Sequence, residues 1–137
     1  MLKSLYVERK VLNATEVIFW CKENNIDFTI KPEDMHVTIA YSSKAVDWND
    51  FVPDKNELRL NDRIGTIKYF SDCLVLTFDS FFLQTRWKYF VDLGCSWDYP
   101  DYDPHVSLSY VKTTADLSMK YIGDIILGPE IFAKVGD

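Results

Sequence analysis

Apolar and polar positions from Leu5 to Lys10 alternate loosely, the period of a half-buried strand. Asn13-Ala14-Thr15-Glu16 then offers a helix start, with Glu16 placed to reach back to the amide of its cap. Ala14, Val17, Ile18 and Cys21 follow at i, i+3, i+4 and i+7, the stripe of an amphipathic helix, and Asn24-Asn25 ends it. After a polar connection through Lys31-Pro32-Glu33-Asp34, the run Met35 to Tyr41 reads as a strand. Residues 43 to 62, with Pro53 and many charges, read as loop with short elements, Trp48 and Phe51 packing back.

The second half repeats this order. Arg63 to Phe70 and Cys73 to Phe78 read as strands joined across Ser71-Asp72 in a hairpin. Ser80 can cap a helix that puts Leu83, Trp87, Phe90 and Val91 on one face, with Gly94 placed to stop it. A polar, aromatic loop (Ser96 to Asp103) leads to a strand from His105 to Val111. Tyr121 to Leu127 is the last strand, closed by Gly128-Pro129. Each half therefore runs strand, helix, loop, strand. The first helix starts 22 residues before His36 and the second 24 before His105. This predicts an α+β fold of two lobes related by an approximate two-fold, each an antiparallel sheet with a helix outside, and a cleft between them. With 137 residues, two separate halves of about 68 residues would each be marginal, so residues 1–137 form one domain with a shared core.

Composition narrows the function. The chain is 47% hydrophobic and 26% charged, enough to bury a core. Its net charge of −6 argues against duplex nucleic acid as a partner, because such binding draws on basic side chains that release counterions. A small anionic ligand in a local pocket stays open. No run approaches the roughly 18 apolar residues of a membrane span, and MLKSLYVERK carries no secretory signal pattern. Cys21, Cys73 and Cys95 are odd in number, widely spaced and without a CxxC, so neither a disulfide framework nor a zinc site is expected, and a reducing cytoplasm is the setting. Aromatics reach 15%, enough for core and for ligand-stacking surface.

The two histidines carry the chemistry. His36-Val37-Thr38-Ile39 and His105-Val106-Ser107-Leu108 each read His, apolar, hydroxyl, apolar. In a strand, residues i and i+2 share a face, so each His lies beside its hydroxyl. One such tetrapeptide is an ordinary half-buried strand histidine; two in matching places of a repeat can face each other across a cleft. Near neutrality one imidazole can accept a proton while the other donates one. The Thr38 and Ser107 hydroxyls can donate to the non-bridging oxygens of a phosphodiester, where charge must be stabilised. Those four groups suffice for in-line displacement at phosphorus without a metal or other cofactor. A metal held by both histidines with Asp101 or Asp103 is the alternative, supported by no HExxH or close carboxylate–histidine spacing.

At these residues the chain resembles the 2H phosphoesterase superfamily, defined by two His-x-Thr/Ser-x motifs on facing lobes. Lys31-Pro32-Glu33-Asp34-Met35-His36-Val37-Thr38-Ile39, Tyr102-Asp103-Pro104-His105-Val106-Ser107-Leu108 and Leu127-Gly128-Pro129-Glu130 are similar to the phage anti-CBASS protein 1 family. Ser107 stands where Thr is more usual and keeps the hydroxyl. The resemblance, from Tyr6-Val7 to Glu130, implies an enzyme cleaving cyclic di- and trinucleotide messengers of a bacterial antiphage system, in the infected host's cytoplasm. It implies a metal-independent reaction in which a ribose 2′-hydroxyl attacks the adjacent 3′–5′ phosphodiester, and the 2′,3′-cyclic phosphate is then hydrolysed to a 3′-phosphate. His36 and His105 would be base and acid in an order the near-symmetric pair leaves open.

By the same resemblance, Tyr6 and Glu130 fall at positions for nucleobase contact, against their plainer readings as strand core and turn surface. Tyr102 would line the cleft or wedge its loop. Asp98, Asp101 and Asp103 read as a solvated acidic turn, and Trp87 and Phe90 as core. Lys10, Arg63, Lys68 and Lys112 can supply local positive charge. Two rival functions remain: another 2H reaction, on RNA 2′,3′-cyclic ends or 2′–5′ linkages, and a non-catalytic sponge for cyclic nucleotides.

Overall fold

The computed structural model describes residues 1–61, 64–111 and 114–136. Arg63 and Lys112, two of the candidate cations, lie outside them. In chain order the elements are β1 (Leu2–Val11), α1 (Ala14–Glu23), β2 (His36–Asp47), β3 (Leu58–Leu60), β4 (Gly65–Phe70), β5 (Cys73–Thr77), α2 (Phe81–Asp92), β6 (His105–Ser109), β7 (Lys120–Tyr121) and β8 (Ile125–Ala133). The strands form two four-stranded sheets, ordered β2-β1-β8-β3 and β6-β5-β4-β7, in which every pairing is antiparallel. Each histidine strand is the outermost strand of its sheet, and β2 and β6 pack beside one another.

Alternation dictates the two faces of the first sheet. Leu5, Val7, Arg9 and Val11 of β1 point to the buried side, while Tyr6, Glu8 and Lys10 point to the half-buried side. One continuous core takes Val7, Val17 and Val37 from the first half of the chain and Leu76, Leu83, Phe90 and Leu108 from the second. The helices do not simply cover their own lobes. Although α2 follows β5, its Phe90 stacks on Phe51 at 5.4 Å and meets Phe132 of β8 edge-on at 5.9 Å. Trp20 of α1, which follows β1, meets Tyr121 of β7 at 5.3 Å. Each helix thus buries apolar surface against the opposite sheet, which ties together two lobes too small to hold a core alone.

Local chemistry explains most boundaries. Ser80 caps α2 by accepting from the Leu83 amide at 3.2 Å. Gly94, with φ of 115°, ends the helix as the Cys95 amide reaches back to the Phe90 carbonyl at 3.0 Å. The capping box expected at Asn13 does not form: Asn13 instead donates to the Asp124 carbonyl at 2.8 Å and accepts from the Ile126 amide at 2.9 Å. Its side chain serves the end of β8, and Glu16 meets the Asn13 side-chain amide, not the backbone.

The largest boundary differences from the sequence expectation lie in β2 and in the last strand. β2 runs on through residues read as loop, to Asp47, because Leu2 and Lys3 of β1 continue to pair with Asp47 and Val46. Trp48 and Phe51 do pack back, Phe51 almost fully buried. The expected last strand is two, β7 in one sheet and β8 in the other, and Gly128-Pro129 lies inside β8. Proline is tolerated there because a bulge between Arg9↔Glu130 and Val11↔Leu127 removes the demand for its amide, and β3 pairs only as far as Leu127.

Two further bulges matter for the site. The β1–β2 register steps from Val7↔Ala40 to Glu8↔Thr38, leaving Ile39 as the extra residue. The β5–β6 register steps from Leu74↔Ser109 to Val75↔Ser107, leaving Leu108 extra. Both bulges fall three positions after a histidine.

Candidate active site

Register places the four chemical residues on comparable faces. Across β1–β2, Lys10 opposes His36, Glu8 opposes Thr38, and Tyr6 opposes Tyr41. Across β5–β6, Thr77 opposes His105 and Val75 opposes Ser107. His36, Thr38, His105 and Ser107 are all half-buried, while the intervening Val37 and Val106 are fully buried. Strand periodicity alone produces this, since apolar neighbours anchor each strand in the core and turn the polar pair outward.

Both imidazoles are held in the same way. Nδ1 of His36 lies 2.8 Å from the Asp34 carbonyl, and Nδ1 of His105 lies 2.8 Å from the Asp103 carbonyl. A carbonyl only accepts, so Nδ1 donates in each ring, and Nε2 of the neutral ring is left as the basic nitrogen. The turns before the strands make this possible. Pro32 opens a short 3₁₀ turn, Pro32–Asp34, that delivers one carbonyl; Pro104 separates Asp103 from His105 at the other. The two rings are near enough that positive charge on His36 disfavours protonation of His105.

Their surroundings differ. His105 sits against Phe70, ring centroids 4.7 Å apart. Burial is the main cause that pushes its pKa below the ordinary imidazole value, against the opposing pull of the Asp103 carbonyl and carboxylate. Lys68 reaches that carboxylate at 2.8 Å and lies over Phe70 at 5.5 Å, so it is a cation beside the site. Asp103 is thereby turned to Lys68, and among the described residues no three of His, Cys, Asp or Glu are grouped as a metal would require.

Around His36 the wall is polar. The Glu8 carboxylate lies 3.8 Å from its Nδ1, an ion pair only when the ring is protonated, and 3.7 Å from Lys10. One oxygen of Glu8 is buried without a hydrogen-bond partner. Tyr6 joins the site directly: its hydroxyl is 3.0 Å from Thr38 Oγ1, and its ring meets His36 edge-on at 6.4 Å. Burial raises its pKa to about 12, so the phenol stays neutral.

Tyr102 and Glu130, the other two expected substrate contacts, are both buried with protein partners in this structure. Tyr102 is 5% exposed, stacks on Trp87 at 5.7 Å and donates to the Thr38 carbonyl at 2.7 Å, which braces the hydroxyl-bearing strand from behind. Its burial drives the phenol pKa up. Glu130 opposes Arg9 on the buried side of the first sheet. Its carboxylate accepts from Arg86 Nη2 at 2.6 Å and Nε at 2.8 Å and from the Asp54 amide at 2.8 Å. Arg9, fully buried, joins this network through the Asp54 carboxylate and the carbonyls of Asn56 and Gly128. Although burial pushes the Asp54 carboxyl upward, the Asn56 amide and Arg9 hold it below the usual range. Arg9, Asp54 and Arg86 had no sequence signal, because their partners are 34 to 121 positions away or meet only through the fold. Glu8 was visible only as an alternating polar position of β1.

A family model described as anti-CBASS protein Acb1 matches residues 3–137. A protein of that name from Caulobacter sp. (strain RHG1) is 34% identical over 148 aligned positions, covering 98% of this chain and 23% of the relative. One from Sphingomonas paeninsulae is 34% identical over 97% of this chain and 23% of its own length, so the chain spans under a quarter of these two relatives. One from Salmonella phage S16 is 32% identical, covering 83% of this chain and 76% of the phage protein. Matched over nearly its whole length, the chain belongs to the anti-CBASS protein Acb1 family.

Proposed function

We propose that this chain is a phage-type anti-CBASS enzyme, a phosphodiesterase of the 2H kind that opens cyclic di- and trinucleotide messengers at 3′–5′ bonds. The observation that carries the reading is the duplicated device itself. Two imidazoles are each locked by a carbonyl two residues upstream and paired with a hydroxyl, and they come from the outer strands of two sheets packed side by side. Binding alone requires no such pair of proton-transfer groups.

In this reading His105 is the base. Its lowered pKa keeps it neutral near pH 7, with Nε2 able to take the proton from a ribose 2′-hydroxyl. The 2′-oxygen attacks the neighbouring phosphorus, and His36 gives its proton to the departing 5′-oxygen. Glu8 stands where it meets the protonated form of His36. The hydroxyls of Thr38 and Ser107 donate to the non-bridging oxygens, which gain charge in the transition state. Tyr6 can donate to Thr38, leaving the Thr38 hydrogen for the phosphate. In the second step the roles reverse: His36 takes a proton from water, water opens the 2′,3′-cyclic phosphate, and His105 protonates the 2′-oxygen, leaving a 3′-phosphate.

The test is chromatography of the products from a panel of cyclic di- and trinucleotides, with a 2′,3′-cyclic mononucleotide alongside, in excess chelator. Linear products ending in 3′-phosphate support the reading. Turnover of the cyclic mononucleotide alone assigns the site to RNA-end chemistry, and intact cyclic nucleotide recovered after heat denaturation assigns it to sequestration.

A further inference from the structure

The matched bulges at Ile39 and Leu108 have a shared consequence. Without them, alternation would turn the residue five positions after each histidine away from the His–hydroxyl face. With one extra residue in each strand, position +5 returns to that face. In both lobes that position is tyrosine: Tyr41 after His36, Tyr110 after His105. Tyr41 opposes Tyr6 across the β1–β2 ladder and meets its ring edge-on at 6.0 Å. Tyr110, just beyond β6, is anchored by its amide to Thr29 Oγ1 at 2.9 Å, and its hydroxyl is within electrostatic reach of Tyr6. The side chains stay open, at 37% exposure for Tyr41 and 57% for Tyr110.

Single exposed tyrosines are commonplace and by themselves need no functional explanation. Here two occupy equivalent positions of the repeat, each re-aimed by a bulge that forgoes ladder hydrogen bonds; Tyr41 meets Tyr6, the residue that touches Thr38, and Tyr110 lies within its electrostatic reach. Each lies about 7 Å along its strand beyond the hydroxyl, once the bulge is counted as one position, a step a ribose can bridge. A cyclic dinucleotide presents two bases on opposite sides of its phosphate ring, so it has a use for one ring from each lobe. We propose that Tyr41 and Tyr110 are base-stacking walls on either side of the His–hydroxyl face, one per lobe, holding the nucleobases while the two His–hydroxyl pairs hold the scissile phosphate. The assignment rests on the phosphodiesterase reading above and adds the residues that recognise bases.

The test is steady-state kinetics on a cyclic dinucleotide with Tyr41→Ala, Tyr110→Ala and the corresponding Phe variants. Each Ala variant is expected to raise KM about 5- to 100-fold, the range of one lost base stack, with kcat within a few-fold of the parent protein. Both Phe variants, which keep the ring, should retain the parent KM. If an Ala variant does not fold, Tyr41→Leu and Tyr110→Leu, which keep bulk and remove the aromatic face, decide with the same expected rise. Unchanged KM in the Ala or Leu variants, or an equal loss in the Phe variants, overturns the stacking role while parent turnover leaves the phosphodiesterase reading standing. A parent protein that turns over no cyclic dinucleotide defeats that reading instead, and this inference with it.

Discussion

His36 and His105 occupy the same frame in different neighbourhoods. Each Nδ1 meets a carbonyl two residues upstream at 2.8 Å, each ring has a hydroxyl at +2, a bulge at +3 and a tyrosine at +5. The neighbouring side chains differ. β1, paired with β2, sets Tyr6, Glu8 and Lys10 beside His36, whereas Phe70 and Lys68 reach the His105 side from β4, beyond the intervening β5. The frame is shared, and the neighbouring side chains make the surroundings unlike. In the proposed reaction that division is what a near-symmetric pair needs to take the unlike tasks of proton acceptor and proton donor.

The largest effects should come from breaking the frame. His36→Ala and His105→Ala should each lower turnover of cyclic dinucleotides by about 10²- to 10⁴-fold with the fold retained, measured as kcat/KM beside far-ultraviolet circular dichroism. The double variant should be little worse than either single one, because acid and base act as a unit. Next, Thr38→Val and Ser107→Ala should each cost about 10- to 10³-fold in kcat, as expected for a lost donor to a developing oxyanion. Near-equal losses would show that the two-fold frame extends to phosphate binding.

The buried face of the first sheet, opposite the one that carries His36, should respond in stability instead. Glu130→Ala leaves Arg86 without its carboxylate and the Asp54 amide without its acceptor, while Arg9 keeps Asp54, and should lower the unfolding free energy by about 3–5 kcal/mol in urea melts. The smallest effect sharpens the difference in surroundings between the histidines. Because burial lowers the pKa of His105, the acidic limb of kcat/KM should lie below the ordinary imidazole value of about 6.5. Phe70→Ala, by letting water reach the ring, should move that limb to higher pH. The same shift has a stability signature. The unfolded chain takes up its proton at higher pH than the folded one, so stability falls as pH drops from about 6.5 toward the folded pKa.

Much of the frame was legible before any coordinates. Periodicity located both helices, and the spacing of Ala14 to His36 against Phe81 to His105 revealed the two lobes. The His–hydroxyl pairs followed from strand alternation alone. What periodicity misses is register. One inserted residue at Ile39 or Leu108 reverses every later side chain, and no local pattern announces it. Helix placement was equally hidden: Phe90 and Trp20 read as core in any arrangement, and only tertiary contacts show that each packs on the opposite sheet. Glu130 shows the same gap from the other direction. Beside Gly128-Pro129 it looked like a surface turn residue or a ligand contact, yet a bulge keeps β8 running through that proline and carries the carboxylate to Arg86.

The central claim is that both imidazoles close on one phosphodiester. With only two histidines in the chain, ¹H–¹⁵N correlation of the imidazole nitrogens reports each without ambiguity. On titration with a cyclic dinucleotide carrying non-hydrolysable phosphorothioate linkages, the account predicts that both Nε2 resonances shift together, saturating at one common Kd, while both Nδ1 resonances move little. A response confined to one ring, or two rings titrating with different Kd values, would contradict it.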